Sequence, residues 1–127
     1  MKKIYMALVL IAAAFSSTAW AKGCDTPKGA FDQVYCSGNL FHQVDNDLNK
    51  TYTELRAKLS NADREILKKG QLAWIENRNE ECSYEKPSGY FVNLSCANDM
   101  TESRLDFLKA RLRECNSTGC VRSRLGE

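Results

Sequence analysis

Apolar and aromatic residues return at steps of three and four through most of the chain. Phe41, Asp45, Leu48, Tyr52, Leu55 and Leu59 follow one another at such steps, which predicts a helix over 37–59. Ser60 and Asp63 have the Ser-x-x-acid form of a capping box and open a second helix, whose inner stripe is Leu67, Gln71, Trp74, Arg78 and Cys82. Pro87, Ser88 and Gly89 break the chain. A third stripe, Ala97, Thr101, Arg104, Leu108 and Arg111, flanked by Met100, Leu105 and Leu112, predicts a helix over 93–113. Little in the chain reads as strand. The expected fold is all-α, a small three-helix antiparallel bundle with an N-terminal arm and a short C-terminal tail.

The inward stripes carry polar residues where aliphatic ones are usual. The short connection at Ser60 forces the first two helices into an antiparallel hairpin, so residues at equal distance from the turn should lie level. Leu55 then meets Leu67, Tyr52 meets Gln71, Leu48 meets Trp74 and Asp45 meets Arg78, with Phe41 beside Cys82. Each polar group of the second helix has a complement on the first. Arg78 faces the Asp45 carboxylate, and Gln71 faces the Tyr52 hydroxyl, with Asn49 one turn away. Breaking one member of a buried ion pair costs about 3–5 kcal/mol, while the intact pair adds little net stability, so such a pair fixes register more than strength. Extending the register to the third helix brings Arg104 over the Trp74 ring. Asp45, Asn49, Tyr52, Gln71, Trp74, Arg78 and Arg104 are therefore expected to form one structural network.

The chain starts with Lys2 and Lys3, an apolar run from Met6 to Phe15 and a small-x-small site at Ala19 and Ala21, the pattern of a secretory signal peptide over residues 1–21. Export would place all six cysteines in an oxidising compartment, periplasmic or secreted, where a small domain gains from staples. The register brings Cys82 and Cys96 together at facing helix ends. Cys24 with Cys36 and Cys115 with Cys120 would complete the set. The rival pairing joins Cys36 to Cys82 and Cys24 to Cys96. No Cys-x-x-Cys occurs and His42 is the only histidine, which argues against zinc, against a redox centre and against any cofactor.

Loss of Lys2 and Lys3 would balance the 18 basic and 16 acidic residues, so charge gives no case for nucleic acid or an anionic membrane. The balance is uneven, because Lys109, Arg111, Arg113, Arg122 and Arg124 make the end of the chain basic. Catalysis finds little support. A lone histidine has no evident nucleophile to activate, and neighbouring acids such as Asp45 with Asp47 do not converge on a helix. A binding protein is the better reading. The segment between Cys82 and Cys96 offers Tyr84, Lys86, Ser88, Tyr90 and Phe91 around a turn, a set of aromatics that a disulfide would hold in order for a partner. The plainer alternative is that Tyr90 and Phe91 fold back over the helix ends.

"VDNDLNKTYTEL", "GQLAWIENRNEEC" and "CANDMTESRLDFL" together resemble the lysozyme inhibitor LprI-like family of bacterial envelope proteins. Leu48, Asn49 and Tyr52 match its first helix, Gln71, Trp74, Arg78 and Cys82 its second, and Cys96, Thr101 and Arg104 its third. The resemblance covers residues 24–112, within a helical domain taken as 22–114. The basic tail at 115–127, with Cys115 and Cys120, departs from the pattern, as does Asn79 where an acid often follows the Arg. The resemblance implies a periplasmic or secreted helical binding protein that inhibits lysozyme, whose partner is a lysozyme-like or other peptidoglycan hydrolase. Alternatives are an immunity protein against a delivered cell-wall toxin and an envelope structural or stress protein with no enzyme target.

Overall fold

The computed structural model describes residues 24–127, and the leader read over 1–21 lies outside the described residues. Three helices make the body: α1 at Ala30–Lys58, α2 at Asn61–Cys82 and α3 at Leu94–Ser117. A two-stranded hairpin, β1 at Ser83–Lys86 and β2 at Gly89–Val92, joins α2 to α3. The chain is a small all-α bundle stapled by three disulfides, with α1 and α2 antiparallel and α3 running parallel to α1.

The cap read at Ser60 forms, and Asn93 supplies another. Ser60 accepts a hydrogen bond from the Asp63 amide at 3.2 Å and starts α2. Asn93 accepts from the Cys96 amide at 3.1 Å and starts α3. The start of α1 differs from the expected 37. It lies at Ala30, behind Pro27, with the Lys28 amide donating to Asp32 in the first turn at 3.0 Å. The extra turns escaped the periodicity because Phe31, Val34 and Tyr35 are exposed and mark no inward face. The hairpin is a second difference. Pro87 and Ser88 form its tip, and Gly89 takes φ 134°, a left-handed backbone that only glycine adopts without strain. A bond from the Asn93 amide to the Cys82 carbonyl at 2.7 Å closes its open end.

Within the bundle α1 lies closest to α3. Asn98 donates to the Ser37 carbonyl at 3.2 Å, and at the far end the Cys120 sulfur lies 3.9 Å from the Lys58 carbonyl, which fixes a parallel register along the whole interface. Ala97, Asn98, Thr51 and Thr101 are buried and small enough for the two backbones to approach. The Thr51 and Thr101 hydroxyls donate to the carbonyls four residues back, at 2.8 and 2.6 Å, so neither is left unsatisfied in the core. This contact turns α1 slightly from the expected stripe: its buried residues are Val44, Leu48, Thr51 and Leu55, while Asp45 and Tyr52 sit half-buried on its flank.

Leu48, Leu55, Leu67 and Leu108 are buried at the centre of one apolar cluster, which Leu125 of the C-terminal segment joins. The tail is thus part of the core. Its arginines pair with the helices: Arg124 joins Arg111 of α3 on Glu114, at 2.6 and 2.8 Å, and Arg122 holds Asp63 at 2.6 Å. Gly70 on α2 leaves room for it, since a Cβ there would come within 3.1 Å of the Gly126 backbone. The bridges are Cys24–Cys36, Cys82–Cys96 and Cys115–Cys120, and the rival pairing is not formed.

Leu125→Ala should lower the unfolding free energy by about 2–5 kcal/mol in urea titration, although the residue stands two places from the last one described. A second prediction concerns acid. Partial burial acts to raise the Glu114 pKa, but the Arg124 hydrogen bond and the charges of Arg111 and Arg124 outweigh it and hold the carboxyl below its ordinary value. A carboxyl with a depressed folded pKa stabilises above its unfolded pKa and loses that contribution as pH falls through the folded one. The stability advantage of the native chain over Glu114→Gln should therefore be present at neutral pH and vanish on acidification through the carboxylate range.

Candidate functional site

Two groups of residues stand out, an internal polar seam and the exposed hairpin at one end of it. In the seam, two guanidinium groups approach the Trp74 ring, Arg78 at 4.9 Å and Arg104 at 5.9 Å from its centre. Arg104 is buried. Its Nε donates to the Gln71 side-chain oxygen at 2.8 Å and its Nη1 to the Glu127 carbonyl at 2.6 Å. The remaining Nη2 is buried without a hydrogen-bond acceptor, and the cation lies 4.3 Å from the centre of the Phe107 ring. Burial lowers the Arg104 pKa to about 10, so the group remains charged at neutral pH.

Arg78 reaches three elements. Its Nη1 lies 3.7 Å from the Asp45 carboxylate on α1 and 3.4 Å from the Thr101 hydroxyl on α3. Its Nε and Nη2 both donate to the Asn79 side-chain oxygen, at 3.4 and 3.2 Å. The guanidinium also lies 5.4 Å from the Phe41 ring centre. The Asp45 pairing expected from the register is present, though at 3.7 Å with Asp45 36% exposed it is a loose ion pair of small net worth. Asp45 also accepts from Asn49 at 3.2 Å. The expected partner of Gln71 is corrected: its oxygen serves Arg104, and neither Tyr52 nor Asn49 takes that place. A cation on α3 outcompetes a neutral hydroxyl for the same amide oxygen.

In the hairpin, cross-strand pairing sets Tyr84 opposite Phe91 and Glu85 opposite Tyr90. Tyr84 and Phe91 stack with ring centres 5.3 Å apart and planes 11° apart, and the Lys86 ammonium lies 5.3 and 5.7 Å from the two rings. Alternation along the strands puts Tyr90 on the opposite face, 83% exposed. Ser88 stands in the turn. The five candidate residues are thus divided: Tyr84, Lys86 and Phe91 form one surface, Tyr90 another, and Ser88 the tip. Tyr90 and Phe91 do not fold back over the helix ends, since they are 83% and 38% exposed. The Cys82–Cys96 bridge ties the base of the hairpin to the start of α3.

Phe107 and the Glu127 carbonyl were missed in the sequence. Phe107 stands one step off the third stripe, and a main-chain acceptor has no signature. His42 is exposed on α1, and the described residues contain no cluster of three or more histidine, cysteine or acidic side chains placed to hold a metal. No helix among the described residues is long and apolar enough to cross a membrane.

Fold and site define a disulfide-stapled, extracytoplasmic helical protein with an ordered, exposed hairpin. The chain belongs to the family described as "Lysozyme inhibitor LprI", whose sequence profile matches residues 24–108. Comparison with curated proteins and with solved structures found no match. The match covers the whole seam except Glu127 and includes the hairpin.

A double-mutant cycle tests the seam. Gln71→Ala with Arg104→Ala should show a coupling of about 0.5–3 kcal/mol in unfolding free energy, whereas Gln71→Ala with Tyr52→Phe should be additive within about 0.5 kcal/mol. The opposite pattern would restore the two-helix pairing.

Proposed function

We propose that this protein acts in the periplasm as an inhibitor of a lysozyme or related peptidoglycan-cleaving enzyme, and that the hairpin is its inhibitory element. Membership of a lysozyme inhibitor family supports the class of target. The observation that carries the surface is the Tyr84–Phe91 stack with Lys86 over its edge, exposed yet ordered by strand pairing and a disulfide. Exposed aromatics normally lose entropy when a partner fixes them, and here much of that cost is met before binding.

The chemistry fits a cleft of this type. Enzymes that hydrolyse glycosidic bonds set two carboxyl groups about the scissile bond, in a groove shaped for sugar rings. Flat rings can occupy sugar positions in such a groove, and the Lys86 ammonium beside them can face a carboxylate. The two-stranded hairpin is narrow enough to enter, and the bundle behind it is too wide to follow. The seam residues are turned inward, so they set the shape that carries the hairpin and stay out of contact with the target.

The oxidised protein should slow lysozyme-driven lysis of cell walls at stoichiometric amounts. Tyr84→Ala, Lys86→Ala and Phe91→Ala combined should weaken inhibition at least about thirtyfold, with the thermal midpoint nearly unchanged. Undiminished inhibition by that variant would remove the hairpin from the account, and unhindered lysis by the native protein would remove lysozyme as its target.

A further inference from the structure

Between the base of the hairpin and α1 lies a hollow of about 410 Å³, walled by Phe41, Val92, Leu94 and Ala97, with Arg78 and Asn79 on one side. This is within the usual range for small-molecule sites. The inhibitor reading makes no use of it, since its walls lie on the far side of the hairpin base from the Tyr84–Phe91 stack.

Arg78 is the only charged side chain in that wall, and it is loosely held. Two of its N–H groups converge on the one Asn79 oxygen, its bond to Thr101 is 3.4 Å long, and Asp45 stands 3.7 Å off and outside the wall. An anionic acceptor entering from the hollow would meet a guanidinium whose present partners leave room for a shorter bond. The apolar surface also runs on beyond the hollow. Val34 and Phe31 stand seven and ten residues before Phe41, on the same side of α1, and are 63% and 85% exposed.

We propose that this hollow is a binding site for an unbranched alkyl carboxylate of medium length. The head group bonds to Arg78, and the chain lies among Phe41, Val92, Leu94 and Ala97, with its end directed along α1 toward Val34. The site goes beyond the inhibitory reading and does not rest on it. Charge decides the head group, because an ammonium would face the Arg78 cation and an alcohol would form a weaker, uncharged bond. Wall chemistry decides the tail, because no wall residue other than Arg78, Asn79 and Ser83 offers a polar side chain.

Calorimetry of the oxidised protein with octanoate should show one saturable site. Affinity should rise roughly fourfold for each methylene from hexanoate to decanoate. Octanol and octylammonium should bind at least tenfold more weakly than octanoate. The Trp74 indole N–H resonance should shift with occupancy, because its ring lies 4.9 Å from the Arg78 guanidinium. Replacing Arg78 itself could unfold the seam, so the decisive variant is Val92→Glu, which sets a carboxylate at the mouth from a residue 60% exposed. It should abolish octanoate binding with an unchanged thermal midpoint. Equal affinity for octanol and octanoate, undiminished binding by Val92→Glu, or no heat and no Trp74 shift would each overturn the proposal.

Discussion

A guanidinium taken out of water must find acceptors, and the bundle is arranged around two that do. Arg104 sits buried between α2 and α3, where the Gln71 oxygen, the Glu127 carbonyl and the Phe107 ring replace its hydration shell. An unpartnered buried cation would cost more than a domain of this size can spare, so helix order, register and the path of the tail are constrained together. Arg78 repeats the device more loosely at the hairpin end, linking α1, α2 and α3 through Asp45, Asn79 and Thr101. Both cations lie within reach of the Trp74 ring.

That constraint accounts for the division of labour in the molecule. Gln71, Trp74, Arg78, Thr101 and Arg104 are turned to the interior and specify a shape, whereas Asn49 stands exposed on α1. The proposed recognition surface is the hairpin, whose strands are exposed and held in order by pairing and the disulfide at their base. The Cys82–Cys96 bridge joins the two roles, since one end of it closes α2 at the seam and the other opens α3 below the strands. The tail has a comparable structural part: Arg122 and Arg124 pair with Asp63 and Glu114, while Lys109 and Arg113 of the basic run stay exposed on α3.

Much of this was legible in the sequence, for definite physical reasons. Ser60 with Asp63 marks a helix start because an orphan amide needs an acceptor there, and the turn it creates fixes the Asp45–Arg78 register, while the end of α2 and the start of α3 bring Cys82 to Cys96. What stayed hidden falls into three kinds. The first turns of α1 have no buried face, so Phe31, Val34 and Tyr35 give no periodic signal. The strands are four residues each and carry Ser, Glu and Lys, too short and too polar to alternate visibly. The Gln71 partner depended on competition between Tyr52 and Arg104, which a two-helix register cannot weigh. Leu125, an apolar residue beside arginines, gave no hint that it completes the core.

The central claim is that an inward-facing polar seam holds the fold while the hairpin alone meets the target. Hydrogen–deuterium exchange of the protein, free and saturated with a lysozyme, tests it most directly. Slowed exchange confined to the amides of residues 83–92, with those around Gln71, Trp74, Arg78 and Arg104 unchanged, is the predicted result. New protection centred on α2 and α3 at the seam, with the hairpin still exchanging freely, would contradict it.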